Sequence, residues 1–213
     1  MTLDYGAARE NMVENQVRTN DVTDFAIQDA MRVVPRERLC PPGRDFLAYA
    51  ETALEYSPGR FAMAPRDVSK LLHALKPRRG ERALAICAPY AAMVLAQIGL
   101  SVQAAEADGQ AAEIAARVLD GSGVTVLAGD LRQAGGEGPY DLIITEGSVA
   151  ATPAAWLAAI GLGGRLGVVE RDGPAGKARL YVRAEDGVLA SRQLFDAAPP
   201  MLKGFEPARG FAL

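Results

Sequence analysis

The stretch "ALAICAPYAAMVLAQIG", Ala83–Gly99, decides how this chain is read. A short apolar run, "ALAIC", passes almost directly into the helical "YAAMVLAQI". A buried strand that turns into a helix is the opening unit of a nucleotide-binding α/β fold. Such turns usually carry glycines, because backbone without Cβ atoms bends tightly and lets a ligand approach its N–H groups. Here the turn reads Cys87-Ala88-Pro89-Tyr90 and has none. Gln97 is the one polar side chain of the stretch, but alanine adds little insertion energy and Pro89 divides the run, which argues against a membrane span.

The same alternation continues downstream. "VQAAEA" precedes the helical "GQAAEIAARVL", "VTVLAG" precedes a polar turn, "YDLIITEG" precedes "PAAWLAAI", and "GGRLGVVE" follows. Continuous apolar strands separated by helices of about three turns predict a doubly wound, mostly parallel sheet covered on both faces. "ARLYVRA" and "SRQLFDA" flank "EDG" and predict an antiparallel hairpin at one edge. Gly163 and Gly164 read as the turn before the last parallel strand, and Trp156 as a core-facing helix position.

Upstream, Thr23 is placed to cap a helix whose Ile27, Ala30, Met31 and Val34 recur at helical spacing until Pro35. With "RENMVENQV" this makes a small helical N-terminal section. Cys40 to Gly59 reads as a loop-rich crossing. Pro65 suits the first turn of a helix with Val68, Leu71, Leu72 and Leu75 as its buried stripe. His73, the only histidine, lies one step from that stripe and reads as a helix-surface or interface residue rather than a base. The expected organisation is one domain over residues 1–213, with a helical section and loop over 1–60 and an α/β core over 61–213.

At 213 residues and 49% hydrophobic content the chain can bury one substantial core. A net charge of −3 without a block of like charge argues against nucleic acid as a partner. Two cysteines, Cys40 and Cys87, make no disulfide framework, and one histidine with separated cysteines makes no zinc constellation. With no signal-peptide pattern at the N-terminus, a cytoplasmic protein without membrane attachment is expected. Cys87, after a buried strand, reads as a small apolar filler.

In open α/β sheets ligands sit beyond the carboxyl ends of the strands. Glu106 ends the second apolar strand, where a carboxylate can accept two ribose hydroxyls; a surface role is the plain alternative. Asp130 follows the third strand and can hold an adenine amino group. Asp108 is placed to cap the next helix. Asp141 reads as the start of the fourth strand and Glu146 stands near its end.

These residues carry a resemblance. Over nearly its full length the chain resembles protein-L-isoaspartate O-methyltransferases, chiefly through "MVENQVRTNDVTDFAIQDAMRVVPRERLCP" (Met12–Pro41), "YDLIITEGSV" and "GLGGRLGVV". The resemblance implies a Rossmann-like methyltransferase fold and S-adenosyl-L-methionine as cofactor. It implies methylation of isoaspartyl α-carboxylates in damaged proteins, with a protein or peptide as substrate. Glu106 then matches the ribose-binding acid and Asp130 the acid beside the adenine, with Ala85, Cys87 and Ala88 lining the cofactor's amino-acid end.

Two departures stand beside those matches. The family's loop, of the type E-I-G-T-G-S-G-Y, is replaced by Ala85-Ile86-Cys87-Ala88-Pro89-Tyr90, two residues shorter and without a glycine or the acid. Pro89 also lacks an N–H. The family's acceptor-site serine, in a stretch of the type G-Q-T-I-S-Q-P, falls on Met63, whose thioether cannot donate a hydrogen bond to a carboxylate. Ser148 is a candidate replacement hydroxyl, and Ala64, Pro65, Glu146 and Gly147 are the expected substrate contacts. Two readings follow: an isoaspartyl methyltransferase with weakened or lost activity, or a non-catalytic binding protein on the same fold with a closed crevice and an unidentified protein partner.

Overall fold

The computed structural model describes residues 4–107 and 109–207. Helix α1 (Tyr5–Met12) runs through a π turn (Val13–Val17) into a short 3-10 turn, and α2 (Phe25–Val33) follows. Asp24, rather than Thr23, caps α2: its carboxylate accepts from the amides of Ala26 and Ile27, one residue nearer the helix than the sequence suggested. The segment read as a loop-rich crossing contains a two-stranded hairpin, β1 (Leu54–Ser57) and β2 (Arg60–Ala62), turning at Pro58-Gly59.

Helix α3 (Pro65–Leu75) starts on its proline and buries Val68, Leu71, Leu72 and Leu75, the stripe its spacing predicts. The core then alternates β3 (Arg82–Ile86), α4 (Pro89–Ile98), β4 (Ser101–Glu106), α5 (Gln110–Leu119), β5 (Thr125–Ala128), β6 (Tyr140–Val149), α6 (Ala154–Ala158) and β7 (Ile160–Arg171). The predicted C-terminal hairpin is β8 (Gly176–Arg183) and β9 (Leu189–Asp196). Asp108, the expected cap of α5, lies outside the described residues; Gly109 is the N-cap residue.

Seven strands form one sheet in the order β5-β4-β3-β6-β7-β8-β9. The pairs from β5 to β7 are parallel, and β8 runs antiparallel to both neighbours. Alternate residues feed two cores: Ala83 and Ala85 face the side covered by α3, α4 and the N-terminal helices, while Leu84 and Ile86 face the side holding Trp156 and Phe205. Gly163 and Gly164 lie inside β7 and not before it. A Cβ on Gly164 would come within 2.8 Å of the Tyr140 carbonyl, so the close approach of β6 requires the glycine. No helix among the described residues is long and apolar enough to cross a membrane. Helix α4, the most apolar, spans ten residues.

Candidate functional site

Strand order reverses between β3 and β6, and the carboxyl ends of β3, β4 and β6 frame the crevice where this type of sheet receives ligands. Cys87 leaves β3 with φ +48°, a left-handed conformation that glycine adopts freely and that costs other residues about 1–2 kcal/mol. The turn thus places a non-glycine residue in a backbone conformation that favours glycine. Ala85, Cys87 and Ala88 are all buried, the last two only 1% exposed. Burial pushes the Cys87 thiol well above its ordinary range, which makes it an unreactive filler.

Glu106 stands at the end of β4, but its oxygens are already engaged. Oε2 accepts from the Tyr56 hydroxyl at 2.7 Å. Oε1 accepts from Arg60 Nε at 2.9 Å, from the Ala107 amide at 2.9 Å and, more weakly, from the Cys87 thiol at 3.5 Å. Glu106 and Arg60 are 2% and 6% exposed, so this is a buried ion pair. Burial first, and then the Glu106 charge, pushes the Tyr56 hydroxyl far up, which keeps it a donor. Tyr56 and Arg60 both come from the β1–β2 hairpin, which folds over the strand end.

Glu146 fills the second position. From within β6 it is fully buried, with Oε1 accepting from the Ala91 amide at 2.8 Å and Oε2 from the Met63 amide at 2.7 Å. The first turn of α4 therefore receives its carboxylate from the chain itself, at the helix end whose free N–H groups and dipole attract anions. Burial raises the pKa of Glu146, while the Arg36 charge and the backbone amides of Ala91, Met63 and Tyr90 pull it back. Arg36, also fully buried, donates to the carbonyls of Ala48 and Met63 at 2.8 and 2.6 Å and lies 4.7 Å from the centre of the Tyr90 ring.

The remaining expected positions fall as follows. Met63 is fully buried, its amide held by Glu146 and its carbonyl by Arg36. Ala64 and Pro65 open α3. Gly147 has φ +120°, and a Cβ there would meet Leu202 at 2.6 Å. The Ser148 hydroxyl is buried and donates to the Pro199 carbonyl at 2.9 Å, so it is engaged with the C-terminal segment. Asp130 is exposed; it caps a short 3-10 turn through the Arg132 amide and borders a hollow of about 330 Å³ with Arg60, Lys203 and Phe205. Asp141 is the second residue of β6 and accepts from the Arg82 amide. The structure brings Cys87 to Glu106 and Met63 to Glu146, buries Ala85 and Ala88 in the core on the Met63 side of the sheet, and leaves Asp130 apart from these.

Arg36, Tyr56 and Arg60 escaped the sequence reading. The signal for the last two was local: Pro58-Gly59 between two apolar-containing runs is a turn signature, and it was absorbed into a loop. Nothing in the sequence marks Arg36 as buried. Among the described residues both carboxylates are buried and hydrogen-bonded on each oxygen, while Arg36 Nη1 and the Tyr90 hydroxyl beside them have no partner.

A parallel sheet with this switch point, strand-end acids and an antiparallel C-terminal edge defines a Rossmann-like methyltransferase fold. The sequence model of the protein-L-isoaspartate(D-aspartate) O-methyltransferase family matches residues 7–196, and the chain belongs to that family. It is 36% identical over 168 residues to protein-L-isoaspartate O-methyltransferase 1 of Rhodopseudomonas palustris, covering 76% of this chain and 69% of that one. It is 35% identical over 190 residues to the Methylorubrum extorquens protein-L-isoaspartate O-methyltransferase, covering 86% and 83%. A Plasmodium falciparum structure described as a protein of this kind, in complex with S-adenosyl-L-homocysteine, superposes with a TM-score of 0.78 at 17% identity over 92% of this chain and 98% of that one.

Proposed function

We propose that this chain is a non-catalytic member of its family, a binding protein that does not hold S-adenosyl-L-methionine and does not methylate isoaspartyl carboxylates. The observation that carries the reading is the state of Glu106. A ribose-binding acid must present lone pairs to two hydroxyls, and here Arg60, Tyr56 and Ala107 occupy three of the four that a buried carboxylate offers. The amino-acid end does not fit the cofactor either. Ala85 brings no carboxylate for the ammonium group, Pro89 brings no N–H, and the α4 amide that would meet a carboxylate is bonded to Glu146. Displacing the Arg60–Glu106 pair would strip a buried carboxylate of its cation, a cost of about 3–5 kcal/mol. That cost weakens a micromolar affinity by about 150- to 5,000-fold, to roughly 0.2–5 mM.

The acceptor side supports the same reading, since the Met63 thioether has no proton to offer a substrate carboxylate. Fold alone does not carry the activity of the relatives to this chain. The partner expected of such a protein is another protein or peptide. The N-terminal section leaves Phe25, Val33 and Phe46 largely exposed, which suits contact with one.

Calorimetric titration of the full chain with S-adenosyl-L-methionine and S-adenosyl-L-homocysteine to millimolar concentration tests the proposal, together with transfer of a labelled methyl group to an isoaspartyl peptide. No saturable heat and no transfer are expected. Micromolar binding of either compound, or one methyl group transferred per chain, overturns it.

A further inference from the structure

An open pocket of about 410 Å³ lies on the α3 face of the sheet, at the edge formed by β9, and shares no residue with the crevice. Lys70, Lys76 and Arg192 line it, with His73 between Lys70 on α3 and Lys76 at the C-cap of that helix. None of these four side chains forms a salt bridge among the described residues. Asp21 is the one carboxylate in the wall. The nearby Asp24 is engaged in capping α2. In a chain of net charge −3, three unpaired cations around one hollow is a local inversion of sign.

A second observation concerns His73. Its Nδ1 is sealed from solvent and has no hydrogen-bond partner. A ring nitrogen left unpaired is costly, and a turn of the imidazole that brings Nδ1–H to the pocket lets a bound acceptor relieve it by accepting a hydrogen bond. The opposite wall is apolar, built from Leu194 and Phe195, and the Lys70 ammonium stands 4.3 Å from the centre of the Phe195 ring. The pocket therefore pairs a cationic, donor-rich side with a hydrophobic one. A cation would be repelled, and a neutral ligand would leave the charges unmatched. With Asp21 in the wall the three cations leave a net two positive charges; a monocarboxylate matches one of them, whereas a phosphate monoester supplies close to two with three acceptor oxygens.

We propose that this pocket binds a small phosphate monoester, with the phosphoryl group against Lys70, His73 and Arg192 and the organic part against Phe195 and Leu194. The site is independent of whether the crevice takes S-adenosyl-L-methionine. Because His73 is the only histidine, its imidazole carbon-bound protons form a single reporter in a proton–carbon NMR spectrum. The full chain would be titrated at fixed ionic strength and pH 7.5 with phenyl phosphate, inorganic phosphate and phenol. Phenyl phosphate is expected to shift the His73 signals saturably, and inorganic phosphate to do so with weaker affinity. Lys70→Ala and Arg192→Ala should each raise the Kd for phenyl phosphate about tenfold.

Three results would overturn the proposal: no saturable shift with phenyl phosphate, an equal response to phenol, or unchanged affinity in both variants. Equal affinity for phenyl phosphate and inorganic phosphate would overturn the role given to Phe195 and Leu194 and leave free phosphate as the occupant.

Discussion

The strand-end crevice and the α3–β9 pocket place charged groups under opposite rules. In the crevice two carboxylates are buried, and each finds its donors within the chain: Arg60, Tyr56 and Ala107 for Glu106, Met63 and Ala91 for Glu146. In the pocket three cations stand open to solvent without a counter-ion among the described residues, beside a histidine nitrogen that has no partner at all. Burial forces most polar groups to be satisfied internally, as both carboxylates are, while Arg36 Nη1 and the Tyr90 hydroxyl of the same crevice have no partner among the described residues. The inherited position of a binding site is therefore a weaker guide than the count of donors and acceptors still free.

The strongest way to break this contrast is to cut the crevice pair. Arg60→Ala leaves Glu106 buried beside a void, and denaturant titration should show a loss of about 3–5 kcal/mol. A loss below about 1 kcal/mol would mean that the pair behaves as an exposed one and the crevice is wet. Glu146→Ala orphans two buried backbone amides, and a loss of about 2–4 kcal/mol is expected by the same measurement.

Glu146 also sharpens the comparison through pH. Its folded pKa lies above its ordinary value near 4.5, so between the two values the folded chain holds the extra proton. Its contribution is then greatest below about pH 4.5 and declines as pH rises through the raised value. Glu146→Gln cannot ionise, so the stability lead of the parent over this variant should shrink with rising pH, measured as denaturant midpoints from pH 4 to 8. A lead that grows with pH would show that the carboxylate is held as an anion throughout.

Smaller effects belong to the turn and to the pocket. Cys87→Gly removes the left-handed strain and the buried thiol together. These oppose each other at about 1 kcal/mol each, and the thermal midpoint should move by only a few degrees. Arg192→Ala touches an exposed side chain and should change stability by less than about 0.5 kcal/mol while weakening phosphate-ester binding. A large destabilisation would reassign Arg192 from ligand binding to the fold.

The fold was legible because its signals are local and repeated. Apolar runs at Ala83–Cys87 and in "YDLIITEG" announce buried parallel strands, and "EDG" between two alternating runs announces the terminal hairpin. The candidate site was legible only by position. Glu106 sits at the strand end where the sequence puts it, yet what occupies it depends on contacts to residues 46 and 50 positions earlier. Arg60 looks like a surface residue beside a turn, and a sequence without neighbours in space gives no sign that it is buried. Met63 and Glu146 were both singled out, but their hydrogen bond spans 83 positions and leaves no periodic trace.

The small antiparallel arm Leu54–Ala62 gives this closure a clock. It carries two of the partners of Glu106, Tyr56 and Arg60, and forms a two-stranded sheet separate from the seven strands, so its opening is expected to leave them folded. Each excursion would admit water to the Ala107 amide. Deuterium uptake at that single position therefore times how often the end of β4 is uncovered, and uptake is expected to be faster in Tyr56→Phe than in the parent chain.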